Sequence, residues 1–185
     1  MSRLIMWNLI TLDGFFEGAK RWDLGWHERV WGEELERLSI EQLRSADGLL
    51  FGRVTYEGMA AHWPFAEGEV AELMNGIPKV VISRTLEKAE WRNTRLVNGD
   101  AVAEVSRLKA AGNRNTFVFG SGDLSATLTR HGLFDEYRLI VVPLVLGSGK
   151  TLFGRGFSQP KLTLLEARPL SSGAVIVRYE PDRSE

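Results

Sequence analysis

Apolar residues fall into short blocks along this chain, and the blocks alternate between two periods. Residues 4–10, 49–51, 79–82 and 117–119 are apolar-rich runs of strand length, closed by Asp-Gly, Gly or Ser. Such runs read as strands buried on both faces. Between them the period changes. Val30, Trp31, Leu35, Leu38 and Leu43 recur at helical spacing with Glu33, Glu34, Glu36 and Glu41 on the other side, which predicts a helix over 27–46 stopped at Asp47-Gly48. Further helices are predicted over 54–61, ended by Trp63-Pro64, over 102–109, closed by Gly112, and from Asp123 to about Gly132. A long loop rich in Gly, Phe and Trp occupies 14–26, a loop or short helix leads up to Gly76, and a short strand is expected at 95–97. The pattern then changes again. Residues 137–145 read as a long apolar strand carrying Pro143, and 161–167 faces 174–179 across Ser171-Ser172-Gly173 as a closing antiparallel hairpin. Strands alternating with helices and then finishing the chain predict an α/β sandwich: a mostly parallel sheet, helices on both faces, and an antiparallel edge. No linker or repeat interrupts it, so one domain is expected over residues 1–185.

Composition removes several chemistries. The 23 basic and 24 acidic residues nearly cancel, which argues against a nucleic-acid footprint. There is no cysteine, and the three histidines (His27, His62, His131) lack zinc-ligand spacing, so no metal site is expected. The first apolar run is too short to span a membrane and lacks a cleavage signal, so the expectation is a cytoplasmic protein without a membrane partner. Four of the six tryptophans lie between Trp22 and Trp63.

The candidate chemistry sits where strands end. Gly52-Arg53-Val54-Thr55 follows the strand at 49–51, Ser83-Arg84-Thr85 follows 79–82, and Gly120-Ser121-Gly122-Asp123-Leu124 follows 117–119. A glycine turn from strand to helix aims backbone N–H groups and a positive helix end at one point, which suits phosphate; it also serves turn geometry alone. In an open parallel sheet all three ends gather at one edge, where ligands bind. A ligand touching all three is long and multiply anionic, as a dinucleotide is, and Arg53 and Arg84 would neutralise it. Gly149-Lys150-Thr151 looks like the close of a P-loop, but the position that needs the first glycine is Leu144, so Gly147 to Gly149 reads as a structural turn.

The chain resembles the dihydrofolate-reductase-like superfamily, most closely the reductase domain of riboflavin-pathway deaminase-reductases and its stand-alone bacterial relatives. The matching pieces are Thr11-Leu12-Asp13-Gly14, Phe51 to Glu57 (FGRVTYE), Lys79 to Leu86 (KVVISRTL), Gly120 to Leu124, Gly132 to Tyr137 (GLFDEY) and Pro143 to Phe153 (PLVLGSGKTLF). They run in the family's order over nearly the whole chain. The resemblance implies an NADPH-dependent reductase with a three-layer α/β/α fold, usually a homodimer. It assigns cofactor phosphate to Gly52, Arg53 and Thr55, the adenosine 2′-phosphate to Ser83 and Arg84, and the pyrophosphate and nicotinamide side to Gly120, Ser121, Gly122, Asp123 and Leu124. The loop from Thr11 to Gly18 would cover the nicotinamide.

Hydride transfer needs no protein nucleophile, because the cofactor carries the reactive carbon. The aromatic loop (Phe15, Phe16, Trp22, Trp26) suits a lid over a flat heterocyclic substrate, or core packing. A proton donor is expected among Asp13, Asp23, His27 and Glu28. Arg21 and Arg29 are the nearby cations that a ribosyl phosphate would want. The function expected is reduction of a pyrimidine or pterin-type heterocycle, closest to 5-amino-6-(5-phosphoribosylamino)uracil reductase. The alternatives are dihydrofolate reductase-type activity, a nucleotide-binding module without turnover, and an oligomeric structural protein that uses the Trp-rich loop as its interface.

Overall fold

A computed structural model describes residues 2–153 and 160–182. Strand β1 (Arg3–Thr11) lies at the centre of an eight-stranded sheet, and β2 (Phe15–Glu17) leaves it at once. Then follow α1 (Glu33–Arg44), β3 (Ala46–Gly52), α2 (Arg53–His62), α3 (Glu69–Gly76), β4 (Lys79–Ile82) and β5 (Thr94–Val97). After α4 (Ala101–Ala111) come β6 (Asn115–Phe119), α5 (Gly122–Arg130), β7 (Glu136–Val142), β8 (Lys150–Thr151), β9 (Leu162–Pro169) and β10 (Val175–Pro181). The sheet order is β5-β4-β3-β6-β1-β7-β10-β9, parallel from β5 through β7 and antiparallel at β10 and β9. This is the expected mixed, mostly parallel sheet with a C-terminal hairpin.

Alternation along the strands sends side chains to two cores. Ile5, Trp7, Leu49, Phe51 and Phe117 pack on one face with Leu35 and Leu43 of α1, Tyr56 of α2, and Val70 and Met74 of α3. Leu4, Met6, Leu50 and Val118 pack on the other with Val105 of α4 and Leu124 and Leu128 of α5. Leu4, Ile5 and Met6 are fully buried, and each such side chain contributes about 1.5–3 kcal/mol of burial. Lys79 is buried too: its Nζ donates to the carbonyls of Met74, Asn75 and Ile77 at the end of α3 and lies 4.5 Å above the Trp91 ring. Burial pushes its amine down to about 8.

Four expectations change. The helix expected over 27–46 is two elements: a 3-10 turn at Gly25–Arg29, then α1 from Glu33, parted by a fully extended Gly32. Val30 and Trp31 kept helical spacing without belonging to the helix. Asp47 and Gly48 lie inside β3, at a register shift between Ala46 and Gly48, instead of stopping α1. Strand β7 ends at Val142, because Pro143 has no N–H to continue the ladder. The loop at 14–26 contains β2, which pairs with β8 in a second small sheet. Among the described residues no helix is long and apolar enough to cross a membrane.

Candidate functional site

The parallel strands all end at one edge, and two of the helices that follow them interlock there. Gly120 and Ser121, after β6, both adopt left-handed backbone (φ 52° and 57°). A Cβ on Gly120 would lie 2.9 Å from Thr55 Oγ1, so only glycine fits. Ser121 carries the cost of that conformation, about 1–2 kcal/mol, because every polar atom it offers is used. Its N–H donates to Thr55 Oγ1 (2.8 Å), and its Oγ donates to the Phe119 carbonyl (2.8 Å) and accepts from Gly52 N (2.9 Å). Gly120 N donates to Asn8 Oδ1 (2.7 Å), which ties in β1. Thr55 and Ser121 are therefore the lock between two turns. The N–H groups left for a ligand are those of Gly122, Asp123 and Leu124, ahead of the first helical bond from Ser125 N to Ser121 O (2.7 Å). The uncapped start of α2, after Gly52, offers a second set. Leu124 itself is buried in the core and Asp123 is exposed.

The cations are unequally engaged. Arg53 pairs with Glu57 one turn along α2 (3.2 Å), and Arg21 reaches the same carboxylate. Ser83 is buried and accepts from Thr85 N (3.1 Å) and Leu86 N (2.9 Å), folding the turn that presents the exposed Arg84. Thr11 is fully buried; it donates to Asp13 (2.6 Å) and accepts from Phe15 N (3.0 Å). Asp13 also accepts from Leu146 N (3.1 Å) and Gly147 N (2.8 Å). The Thr11 hydroxyl and these backbone donors hold its carboxyl at about 2, so Asp13 clasps two loops and keeps no proton to give near neutrality.

Beside the interlocked turns opens a cavity of about 170 Å³. Its walls come from β1 (Trp7, Asn8, Leu9), β2 (Phe16, Glu17), the following loop (Trp22, Leu24, His27), α1 (Gln42), α2 (Val54, Thr55, Met59) and Gly120. Of the four aromatic loop residues, Phe16 and Trp22 line it, Trp26 is core, and Phe15 pairs with β8. Trp22 N donates to Glu17 Oε1 (2.6 Å), whose carboxylate Lys150 also holds (3.1 Å). The Trp22 ring rests on Gly58 of α2, where a Cβ would come within 2.4 Å of it. Gly58→Ala should therefore displace the indole while Tm changes little, since alanine favours the helix by up to about 1 kcal/mol. The check is the tryptophan emission, read against a Trp22→Phe background; an unchanged difference would mean that the ring is not seated there.

Of the proton-donor candidates only His27 reaches the cavity. Burial pushes its imidazole down to about 4, and its Nε2 has no partner among the described residues. Asp23 lies against Gly18, and Glu28 is exposed on the 3-10 turn. Asn8 and Glu17 on the cavity wall were not among the residues singled out. A polar residue inside an apolar strand and a carboxylate between aromatics were the available signals.

The match to the RibD C-terminal domain family covers residues 3–176. The chain belongs to that family. It is a reductase-like domain of the riboflavin-pathway family, as the ordered set of resembling segments implies. An uncharacterized protein of Bacillus subtilis (strain 168), YyaP, is 30% identical over 96% of this chain and 94% of its own. A Shewanella sp. PV-4 protein ascribed to riboflavin biosynthesis is 22% identical, with a TM-score of 0.79 over 98% of this chain and 99% of that one. A dihydrofolate reductase of Enterococcus faecalis, solved in complex with NADP(H) and RAB-propyl, is 14% identical with a TM-score of 0.66 over 97% and 96% of the two chains. This chain thus shares its fold with that dihydrofolate reductase.

Proposed function

We propose that this chain is an NADPH-dependent reductase of a flat heterocycle of the pyrimidine or pterin type. The observation that carries the reading is the joining of two helix N-termini, at Gly52 and Gly122, to an aromatic cavity through Thr55 and Gly120. The donor set suits a dinucleotide: free N–H groups at α2 and α5, Arg53 beside one of them, and Arg84 on the adjoining strand end. NADPH, when bound, supplies the hydride. The residues of this chain bind and orient: the α2 and α5 starts take the pyrophosphate, Ser83 and Arg84 the 2′-phosphate, and Phe16 and Trp22 cover the reacting rings and exclude water.

Arg84→Ala is expected to weaken NADPH binding about tenfold or more and NADH binding little, since one Arg–phosphate pair is lost. Equal losses for the two cofactors would contradict the assignment. A second reading, a nucleotide-binding module without turnover, draws on one observation: the only proton-donor candidate on the cavity wall, His27, is neutral at pH 7. NADPH oxidation with any heterocycle of a test panel would remove it.

A further inference from the structure

The cavity has a polar corner that the reductase reading leaves unused. Asn8 is 6% exposed, and its Oδ1 accepts the Gly120 N–H at 2.7 Å. That bond fixes the orientation of the amide, because an N–H is met only by the oxygen end. The Nδ2 end, with two donors, is buried and has no partner among the described residues. Leaving such a group unpaired costs about 1–3 kcal/mol, and unpaired buried amides are rare. Asn8 is one of the residues that line the cavity, so a ligand held there lies beside the residue that carries this unpartnered group.

The charges on the wall narrow what that ligand is. Among the described residues no Lys or Arg lines the cavity. Glu17 is the one carboxylate among the described lining residues and is taken up by Trp22 N and Lys150. His27 is uncharged near neutrality. Arg21 and Arg53 are both bound to Glu57 of α2, and none of the three lines the cavity. A phosphate drawn into this space would lose its water, meet no counter-charge among the described lining residues and sit near a carboxylate that already occupies Lys150, an arrangement far costlier than one hydrogen bond repays. Trp7, Phe16, Trp22 and Trp63 on the walls favour a flat ring.

We propose that the substrate is an uncharged planar oxo-heterocycle whose ring carbonyl accepts from Asn8 Nδ2, and that no phosphate enters the cavity. This rests on the reductase reading and narrows it, from phosphoribosylated pyrimidines to rings without the phosphate. The test is calorimetric titration of the whole chain, first without NADPH and then with it. Quinazoline-2,4-dione is compared with quinazoline, and uracil with uridine 5′-monophosphate. The dione should bind at least about tenfold tighter than quinazoline, the worth of one buried hydrogen bond, and the nucleotide at least about tenfold weaker than uracil. Asn8→Asp keeps the acceptor for Gly120 N and loses the donors, so it should erase the preference for the dione. If that variant does not fold, the two wild-type comparisons decide alone. Nucleotide binding as tight as uracil, a dione no better than quinazoline, or a preference that survives in Asn8→Asp would overturn the proposal. Preferences that hold while NADPH fails to bind would leave the Asn8 anchor standing and remove the reductase reading instead.

Discussion

Glu136→Gln should lower stability by about 3–5 kcal/mol, the usual consequence of removing one partner from a buried ion cluster. Glu136 opens β7 and its side chain is wholly buried. Its Oε1 accepts from Arg138 Nε (2.5 Å) and Arg178 Nε (2.6 Å), and Arg3 pairs with Oε2 (3.1 Å). Burial alone would raise this carboxyl, but the bonds from Arg138 and Arg178 outweigh it and hold it below the ordinary range. The cluster ties β1, β7 and β10 together at the amino ends of the parallel strands, the edge opposite the candidate site. Arg3 is nearly half exposed and contributes little, whereas Arg138, 14% exposed, has little access to water with which to replace the lost charge. Urea unfolding should therefore show a large drop with ligand affinity unchanged in the folded fraction. A loss under about 1 kcal/mol would mean that the cluster behaves as a surface network.

The second large effect is a loss of stability in mild acid set by His27. In the unfolded chain its imidazole takes a proton near 6.5, whereas burial in the cavity wall delays this to about 4. Between those values the unfolded state binds the extra proton, so protons favour unfolding. The contribution is fully present above pH 6.5 and falls as pH drops, and the stability lost reaches about 3 kcal/mol by pH 4. The depressed carboxylates of Asp13, Glu34 and Glu136 act lower, as pH falls below their ordinary values near 4. The windows are thus separable. Unfolding free energies at pH 7, 6 and 5 should slope in the wild type and flatten in His27→Gln. Parallel slopes in the two proteins would show that His27 is hydrated in the folded state.

Much of the edge that gathers the turns was legible, for a local reason. Gly-Arg-x-Thr, Ser-Arg-Thr and Gly-Ser-Gly each follow an apolar run, and a strand-to-helix turn writes itself into a few adjacent residues. Lys79–Ile82 as a strand and the hairpin around Gly173 were readable in the same way. What stayed hidden depends on distant partners. The pairing of β2 with β8 joins residues over 130 positions apart through two- and three-residue strands too short to show a period. Glu17 gained its role through Lys150, and Asp13 through Gly147. Ser121 and Thr55 looked like free hydroxyls aimed at phosphate, and their use in locking the turns together appears only when α2 and α5 are brought side by side. Trp31 misled for another reason: it kept the helical period of α1 while lying beyond Gly32.

NADPH binding at this edge is the property on which the proposed reductase function depends most directly. Titrating the protein into NADPH and following nicotinamide fluorescence should give a saturable curve with one site per chain and a Kd well below ~1 mM. A response that stays linear up to ~1 mM, with no saturation, would contradict it.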